Sequence, residues 1–374
     1  MNELFIGLMS GTSLDGVDGV LTNLSAIDNG RVHVLAHVHR PFEPTLADQL
    51  LALNTAGNNE LHRAALAANA LARVCARVVR VLLEASGISP AQIVAIGAHG
   101  QTVRHRPREF DATGYTLQLN NPALLAELTG IDVIADLRSR DVAAGGQGAP
   151  LVPAFHRAVF GRAGSTVAVL NLGGIANLTV LHADGRTTGF DCGPANMLMD
   201  HWCLTHTGQI FDEGGAWAAS GTVIVPLMRA MLAEPYFGLS PPKSTGRDLF
   251  RSDWLVQHLR HVAPAARAVD VQATLAELTA TVCANDVRQH AARVQTLLVC
   301  GGGALNGNLM QRLARLLPQV RVEPTDVQGL PATQVEACAF AWLARAFTRR
   351  ECANLASVTG AAGPRVLGAL YPAR

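Results

Sequence analysis

The sequence predicts an α/β protein of two lobes, on three observations. Strands alternate with helices along the chain, a glycine-turned hairpin opens each half, and 374 residues suffice for two domains of about 150 residues, each with its own core. A hairpin repeated at the head of each half indicates an internal duplication.

The first strand runs from Leu4 to Met9, turns at Ser10-Gly11-Thr12-Ser13 and returns as a second strand from Leu14 to Thr22. A helix from Asn59 to Ser86 follows. Its apolar stretch, Ala64 to Leu83, carries Arg73, Arg77 and Arg80, which mark an amphipathic surface helix and not a membrane span. A strand at Ile93 to Ala98, another ending near Asn120, a helix from Pro122 and a strand at Ile131 to Ala135 complete the lobe. The segment Arg138 to Pro153 holds Ala143-Ala144-Gly145-Gly146-Gln147-Gly148-Ala149-Pro150, too glycine-rich for a regular element, and the lobe boundary is placed there. The first lobe is thus residues 1–137, joined by a returning segment 361–374, and the second is residues 138–360. In the second, a strand from Thr166 to Asn171, a Gly-Gly turn and a strand from Ala176 to Leu181 repeat the opening hairpin. A third glycine turn, Gly301-Gly302-Gly303, follows the apolar strand Thr296 to Cys300 and precedes a helix from about Asn306.

Composition excludes several functions. Hydrophobic residues at 49% against 16% charged exclude a disordered chain. A net charge of +1 supplies no field to gather nucleic acid or anionic lipid, so neither is an expected partner. Lys243 is the only lysine and follows Pro242, which excludes a Walker phosphate loop. Seven scattered cysteines without a CxxC predict neither a zinc site nor a disulfide framework and suit a reducing cytoplasm. No basic region followed by an apolar core opens the chain, so no secretory leader is expected.

Glycine turns after strands let backbone N–H groups approach phosphate oxygens. Ile6-Gly7-Leu8-Met9-Ser10-Gly11-Thr12-Ser13, Leu170-Asn171-Leu172-Gly173-Gly174-Ile175 and Val299-Cys300-Gly301-Gly302-Gly303-Ala304 resemble, in order, the two phosphate hairpins and the adenosine turn of the actin, hexokinase and heat-shock ATPase superfamily. The resemblance implies a two-lobed actin-like ATPase (ribonuclease H-like) fold, with duplicated lobes and a central cleft, that binds ATP with Mg2+. The nucleotide-binding residues it implies are Ser10, Gly11, Thr12, Ser13, Leu14, Asp15, Gly16, Val17 and Asp18, then Asn171, Gly173 and Gly174, then Gly301, Gly302 and Gly303. The superfamily often carries an acid where Ser10 and Asn171 stand, so the metal ligands stay unassigned. Asp15 and Asp18, read as lying three apart on the second strand, are expected to face opposite sides of it.

A narrower resemblance rests on Met9-Ser10-Gly11-Thr12-Ser13-Leu14-Asp15-Gly16-Val17-Asp18, Gly100-Gln101-Thr102-Val103-Arg104-His105, Asp136-Leu137-Arg138-Ser139-Arg140-Asp141, Asn171-Leu172-Gly173-Gly174-Ile175-Ala176-Asn177 and Phe190-Asp191-Cys192-Gly193-Pro194-Ala195-Asn196. These resemble the motifs of anhydro-N-acetylmuramic acid kinases. The resemblance implies hydrolysis of the sugar's 1,6-anhydro ring with phosphorylation of O6, giving N-acetylmuramic acid 6-phosphate and ADP in peptidoglycan recycling. The implied partner is a small amino sugar, and a homodimer is allowed.

Asp191 is the implied catalytic base that activates water at the anomeric carbon. Alternatively it is a turn residue at a helix start, with Gly193 and Pro194 at cap and first position. Arg138 and Arg140 either hold the sugar's lactyl carboxylate through paired N–H donors or are solvated on a loop. Glu336 either contacts substrate or closes a capping box, Thr333-Gln334-Val335-Glu336. His99 and His105 lack metal-ligand spacing and read as polar packing. Two rival functions are a kinase acting on an ordinary sugar hydroxyl and a non-enzymatic actin-like or chaperone-like ATP-binding module.

Overall fold

A computed structural model describes residues 3–11, 14–245 and 249–374. Thr12 and Ser13, expected in the first phosphate turn, lie outside the described residues. The chain divides into two compact units, Met1–Val159 with Gln334–Arg374, and Phe160–Thr333. The first contains strands β1 (Leu4–Met9), β2 (Gly16–Asn23), β3 (His33–Pro41), β4 (Ala95–Ala98), β5 (Gln101–Pro107), β6 (Gly114–Leu119) and β7 (Val133–Ala135). The second contains β8 (Val167–Leu172), β9 (Ile175–Leu181), β10 (Thr187–Pro194), β11 (Thr296–Cys300) and β12 (Arg321–Pro324), and the first unit regains a strand, β13 (Ala369–Tyr371).

The two main sheets share a topology. The first has the order β13-β7-β4-β1-β2-β3 and the second β10-β9-β8-β11-β12. Each has an antiparallel three-strand meander, a fourth strand parallel to the first and a fifth parallel to the fourth. That duplicated ribonuclease H-like order is the actin-like α/β fold that the resemblance of the three glycine turns implies, and it bears out the internal duplication expected from the repeated hairpin, with β13 added at one edge.

In the first unit both sheet faces are covered. The helix Glu60–Ser86 buries Leu71, Val74, Cys75, Val78, Val79 and Leu82, the stripe expected from its periodicity. The helix Val335–Thr348 comes so close that a Cβ on Gly7 would stand 1.8 Å from the Ala337 carbonyl oxygen, and one on Gly97 2.0 Å from that of Phe340. In the second unit the helix Ala268–His290 buries Val271, Leu275, Leu278, Cys283 and Val287 in a core shared with Leu170, Leu172, Leu178 and Phe190.

The units divide at 159/160 and 333/334, not at 137/138 and 360/361. Residues 138–159 stay with the first unit because Asp141, fully buried, ties them to its C-terminal segment. Its Oδ1 accepts from Asn354 Nδ2 (2.6 Å) and Thr359 Oγ1 (2.8 Å), and its Oδ2 from the Gly148 amide (2.8 Å). A short helix, Ser139–Ala143, lies in the stretch expected to be irregular; residues 144–151 form the loop, and a second helix, Val152–Phe160, follows it. The strand β3 and the helices between Asn196 and Val262 carried no expectation. Among the described residues no single helix is long and apolar enough to cross a membrane.

Candidate active site

In the second unit, β8 and β11 run parallel and turn at the same end, the first at Gly173-Gly174 and the second at Gly301-Gly302-Gly303. Carboxyl ends of neighbouring parallel strands are the usual ligand edge of such sheets. Asn196 clamps the first turn: its Nδ2 donates to the Leu172 carbonyl (2.9 Å) and its amide to that of Gly173 (3.0 Å).

The glycines fall into two kinds. Gly301, at φ 82°, would place a Cβ 2.4 Å from Asn171 Oδ1, and one on Gly303 would stand 2.5 Å from Leu172 Cβ; the turns' packing on each other requires both. A Cβ on Gly302 meets nothing nearer than Asn196 Nδ2 at 3.8 Å, and on Gly173 nothing nearer than the Ile175 carbonyl at 3.7 Å. No protein neighbour demands glycine at these two positions.

The registers align Cys300, Asn171, Asn177 and Asp191 in one row across β11, β8, β9 and β10. Because strand side chains alternate, this row faces away from the core that Leu170, Leu172, Leu178 and Phe190 fill. Asn171 Oδ1 and Asn177 Oδ1 are buried without a hydrogen-bond partner among the described residues. Asp191 is well supported: its Oδ2 accepts from the Thr245 amide (3.0 Å), its carbonyl from Tyr236 Oη (2.8 Å), and its amide donates to the Lys243 carbonyl (3.2 Å). A bulge between Asp191 and Gly193 breaks the ladder just beyond it. The Tyr236 hydroxyl is pushed above its ordinary range by burial first and then by the Asp191 charge. The helix-start alternative for Asp191 does not describe this geometry, since β10 runs to Pro194 and the helix begins at Asn196 with Ala195 as its cap residue.

In the first unit side chains support the turn after β1. The buried Ser10 hydroxyl donates to Gln101 Oε1, and Gln101 Nε2 donates to the Gly11 carbonyl (3.0 Å). His99 Nδ1 lies 3.3 Å from the Ser10 carbonyl, and its Nε2 accepts from Arg138 Nε (3.1 Å). Burial, reinforced by the Arg138 charge, holds the His99 pKa down to about 3, so the ring is neutral: Nδ1–H donates and Nε2 accepts. Arg138 also donates to the Gly148 carbonyl (2.8 Å). It is therefore engaged within the protein, whereas Arg140 is exposed on Ser139–Ala143 and makes no side-chain hydrogen bond or ion pair among the described residues.

Leu14 takes a positive φ of 61°. Asp15 precedes β2 instead of lying on it, and is exposed. Gly16 is fixed by packing, its Cβ position being 2.3 Å from the Arg40 carbonyl, and Val17 is buried in the core. Asp18, on β2, accepts from His37 Nε2 (3.2 Å) and His39 Nδ1 (3.1 Å) of β3. Burial would raise the Asp18 pKa, but these imidazole bonds hold it below its usual value, and the bond to Asp18 raises that of His39. His105 packs on Thr116 Oγ1 at 2.9 Å. Glu336 is half-buried in the first turn of Val335–Thr348, whose cap residue is Gln334 without a side-chain capping bond, so the expected capping box does not form. Among the described residues no three His, Cys, Asp or Glu side chains gather as a metal site. Sequence reasoning passed over Asn177, Gln101 and the Tyr236, Lys243 and Thr245 support of Asp191, all set by tertiary contacts; only Asn177 and Gln101 stood in motifs already marked.

The family model for anhydro-N-acetylmuramic acid kinase matches residues 3–373. The chain belongs to the anhydro-N-acetylmuramic acid kinase family. The anhydro-N-acetylmuramic acid kinase of Variovorax paradoxus (strain S110) is 62% identical over 376 residues, covering 99% of each chain. That of Albidiferax ferrireducens is 59% identical over the full length of both, and that of Bordetella pertussis 59% over 99% of this chain and 96% of its own. Among solved structures, a ROK family glucokinase from Streptomyces griseus in complex with glucose and AMPPNP overlaps 91% of this chain and 99% of its own, at 15% identity and a TM-score of 0.39. As a member of the anhydro-N-acetylmuramic acid kinase family the chain is an ATP-using kinase of an amino sugar. The non-enzymatic reading and the reading as a kinase of an ordinary sugar hydroxyl are set aside.

Proposed function

We propose that the chain opens 1,6-anhydro-N-acetylmuramic acid with water and transfers the γ-phosphoryl group of Mg-ATP to O6, and that Asp191 is the base. The observation that supports this most is the position of Asp191 in the row Asn171, Asn177, Asp191, on the sheet face opposite the core and beside the open amide oxygens. The Thr245 amide on Oδ2 favours the ionised carboxylate, the form that can accept a proton.

In this reading Asp191 removes a proton from water as the water oxygen bonds to the anomeric carbon. The bond from that carbon to the bridging oxygen breaks, and the bridging oxygen, now O6, takes the γ-phosphoryl group while ADP leaves. Gly173, Gly174 and Gly302 admit nucleotide to the backbone of their turns, Gly301 and Gly303 shape them, and Ser10, Gly11 and the hairpin to Asp18 serve phosphate. Where Mg2+ binds, the buried and unpaired amide oxygens of Asn171 and Asn177 would serve as hard oxygen donors for it. When bound it neutralises charge developing on the phosphates.

Arg140, exposed and uncommitted, is the better candidate for the lactyl carboxylate, with Arg138 holding the loop that carries it. Glu336 stays a substrate-contact candidate, the capping alternative having lost its geometry. The seven free thiols, six of them buried, suit the reducing cytoplasm where recycled wall sugars would be met.

The test is incubation with Mg-ATP and a panel of amino sugars, with products identified by mass. The expected result is a product from the anhydro sugar carrying one added water and one added phosphoryl group, formed in step with ADP. A phosphorylated product that has gained no water would contradict the reading.

A further inference from the structure

We infer that Lys243, the only lysine in the chain, is a positioning residue that holds Asp191 in its working orientation. The inference rests on the reading of Asp191 as the base.

Lysine is rarely found buried unless paired, yet the Lys243 side chain is 2% exposed. Its ammonium lies 3.6 Å from Asp286 Oδ1, 5.4 Å from the centre of the Phe190 ring and 5.2 Å from that of Tyr236. All three partners bear on Asp191. Phe190 precedes it on β10, the Tyr236 hydroxyl binds its carbonyl, and Asp286 sits on Ala268–His290, the helix packed under the sheet.

Lys243 acts through its segment. β10 is the edge strand of its sheet, and the Lys243 carbonyl extends the ladder by accepting the Asp191 amide. The side chain is anchored on the core side, beside Phe190, while two residues on the Thr245 amide reaches the Asp191 carboxylate on the opposite side. The buried ion pair thus pins one end of a short clip, and the clip supplies the hydrogen bond to Oδ2. Among the described residues, the only other hydrogen bond that Lys243 makes to β10 is that of its carbonyl with the Asp191 amide, so the side-chain anchor is what fixes the start of the clip. The titratable groups around the ammonium are Asp286, Tyr236 and His290, with the Cys192 thiol on Asp286 and Cys283 beside Cys192. Burial pushes the Asp286 carboxyl up, and the Lys243 charge pulls it back. Replacing lysine alone would leave that carboxylate buried without its cation, so the informative variant removes both charges.

The experiment compares wild type, Lys243→Met with Asp286→Leu, Lys243→Arg, and the same pair in an Asp191→Asn background. The pair variant should fold and keep its KM for ATP and sugar, lose about 10-fold to 100-fold in kcat through misplacement of the base, and move the acid limb of its kcat/KM profile to higher pH, because the carboxylate loses a donor. Lys243→Arg should keep more activity than the pair variant. With Asp191→Asn present the pair should cost nothing further. Wild-type kcat and pH profile in the folded pair variant overturn the inference, as does an equal loss in both backgrounds, which leaves the Asp191 reading intact. Near-normal turnover by Asp191→Asn alone overturns both. Should the pair variant fail to fold, Thr245→Pro deletes the amide donor with Lys243 in place, and an unchanged kcat and pH profile there overturns the inference.

Discussion

The two sheets share a strand order but hold their first turns by different means. After β8 the turn is held by backbone and packing: Gly301 and Gly303 fit against Asn171 and Leu172, and Asn196 binds two carbonyls. After β1 it is held by a relay of side chains from Gln101 and His99 through Arg138 to the Gly148 loop, which Asp141 locks. The difference decides which polar groups remain available. The backbone-held turn leaves Asn171 and Asn177 with open acceptors beside Asp191, whereas the relay uses up Arg138. Duplication copies a topology, and each copy then divides its polar residues between support and chemistry.

The largest effect that tests this division is at Asp191. Asp191→Asn keeps size and much of the hydrogen bonding, so turnover should fall at least ~100-fold with ATP and sugar binding nearly normal. Near-normal turnover with a lowered melting temperature would put Asp191 on the support side. Next comes Arg138→Leu, which leaves His99 Nε2 and the Gly148 carbonyl without their donor and should cost about 1–3 kcal/mol in denaturant unfolding. Arg140→Ala should change stability by under about 0.5 kcal/mol and raise the KM for sugar. Equal stability losses in the two variants would erase the distinction.

The glycines sharpen the comparison further. Gly302→Val has room within the protein, so the fold should survive while ATP affinity drops about 10-fold, equivalent to ~1.4 kcal/mol. Gly301→Val, at a positive φ and against Asn171, should instead lower the melting temperature. A folded Gly302→Val with unchanged ATP affinity would remove that turn from the nucleotide site.

The smallest effect is a slope. His99 is held to a pKa of about 3 when folded, against 6.5 ordinarily, so the folded state binds fewer protons and its stability is full above 6.5. That stability falls as pH drops from 6.5 toward 3, by up to about 1.4 kcal/mol per pH unit for this one proton. His99→Gln should flatten the dependence of melting temperature on pH in that window, though not abolish it, because burial holds His156 near 3 as well. An unchanged slope would mean that the ring is not neutral in the relay.

What could be read from sequence was whatever is local. The hairpins, the glycine turns, the Glu60–Ser86 stripe and the Asp191 motif each announce themselves within a short window. Arg138 could not be assigned from its own motif, because its partner His99 lies 39 positions away. The unit boundary was misplaced for the same reason: Asp141 meets Asn354 across 213 positions, so a glycine-rich stretch that reads as a linker is an anchored loop. Thr333 to Glu336 satisfies the capping pattern, yet the helix starts from Gln334 without it. Lys243 drew notice only as the missing lysine of a phosphate loop, and its burial is a property of the assembled core.

The most direct test of the central claim, that this kinase uses water as a reactant activated by Asp191, is turnover in water enriched in heavy oxygen, with the phosphorylated sugar analysed before its anomeric oxygen exchanges. The account predicts one solvent oxygen at the anomeric carbon of each product molecule, and with Asp191→Asn a loss of labelled product in proportion to the loss of ADP formation. Phosphorylated sugar without solvent oxygen, or labelled product at the wild-type rate from Asp191→Asn, would contradict it.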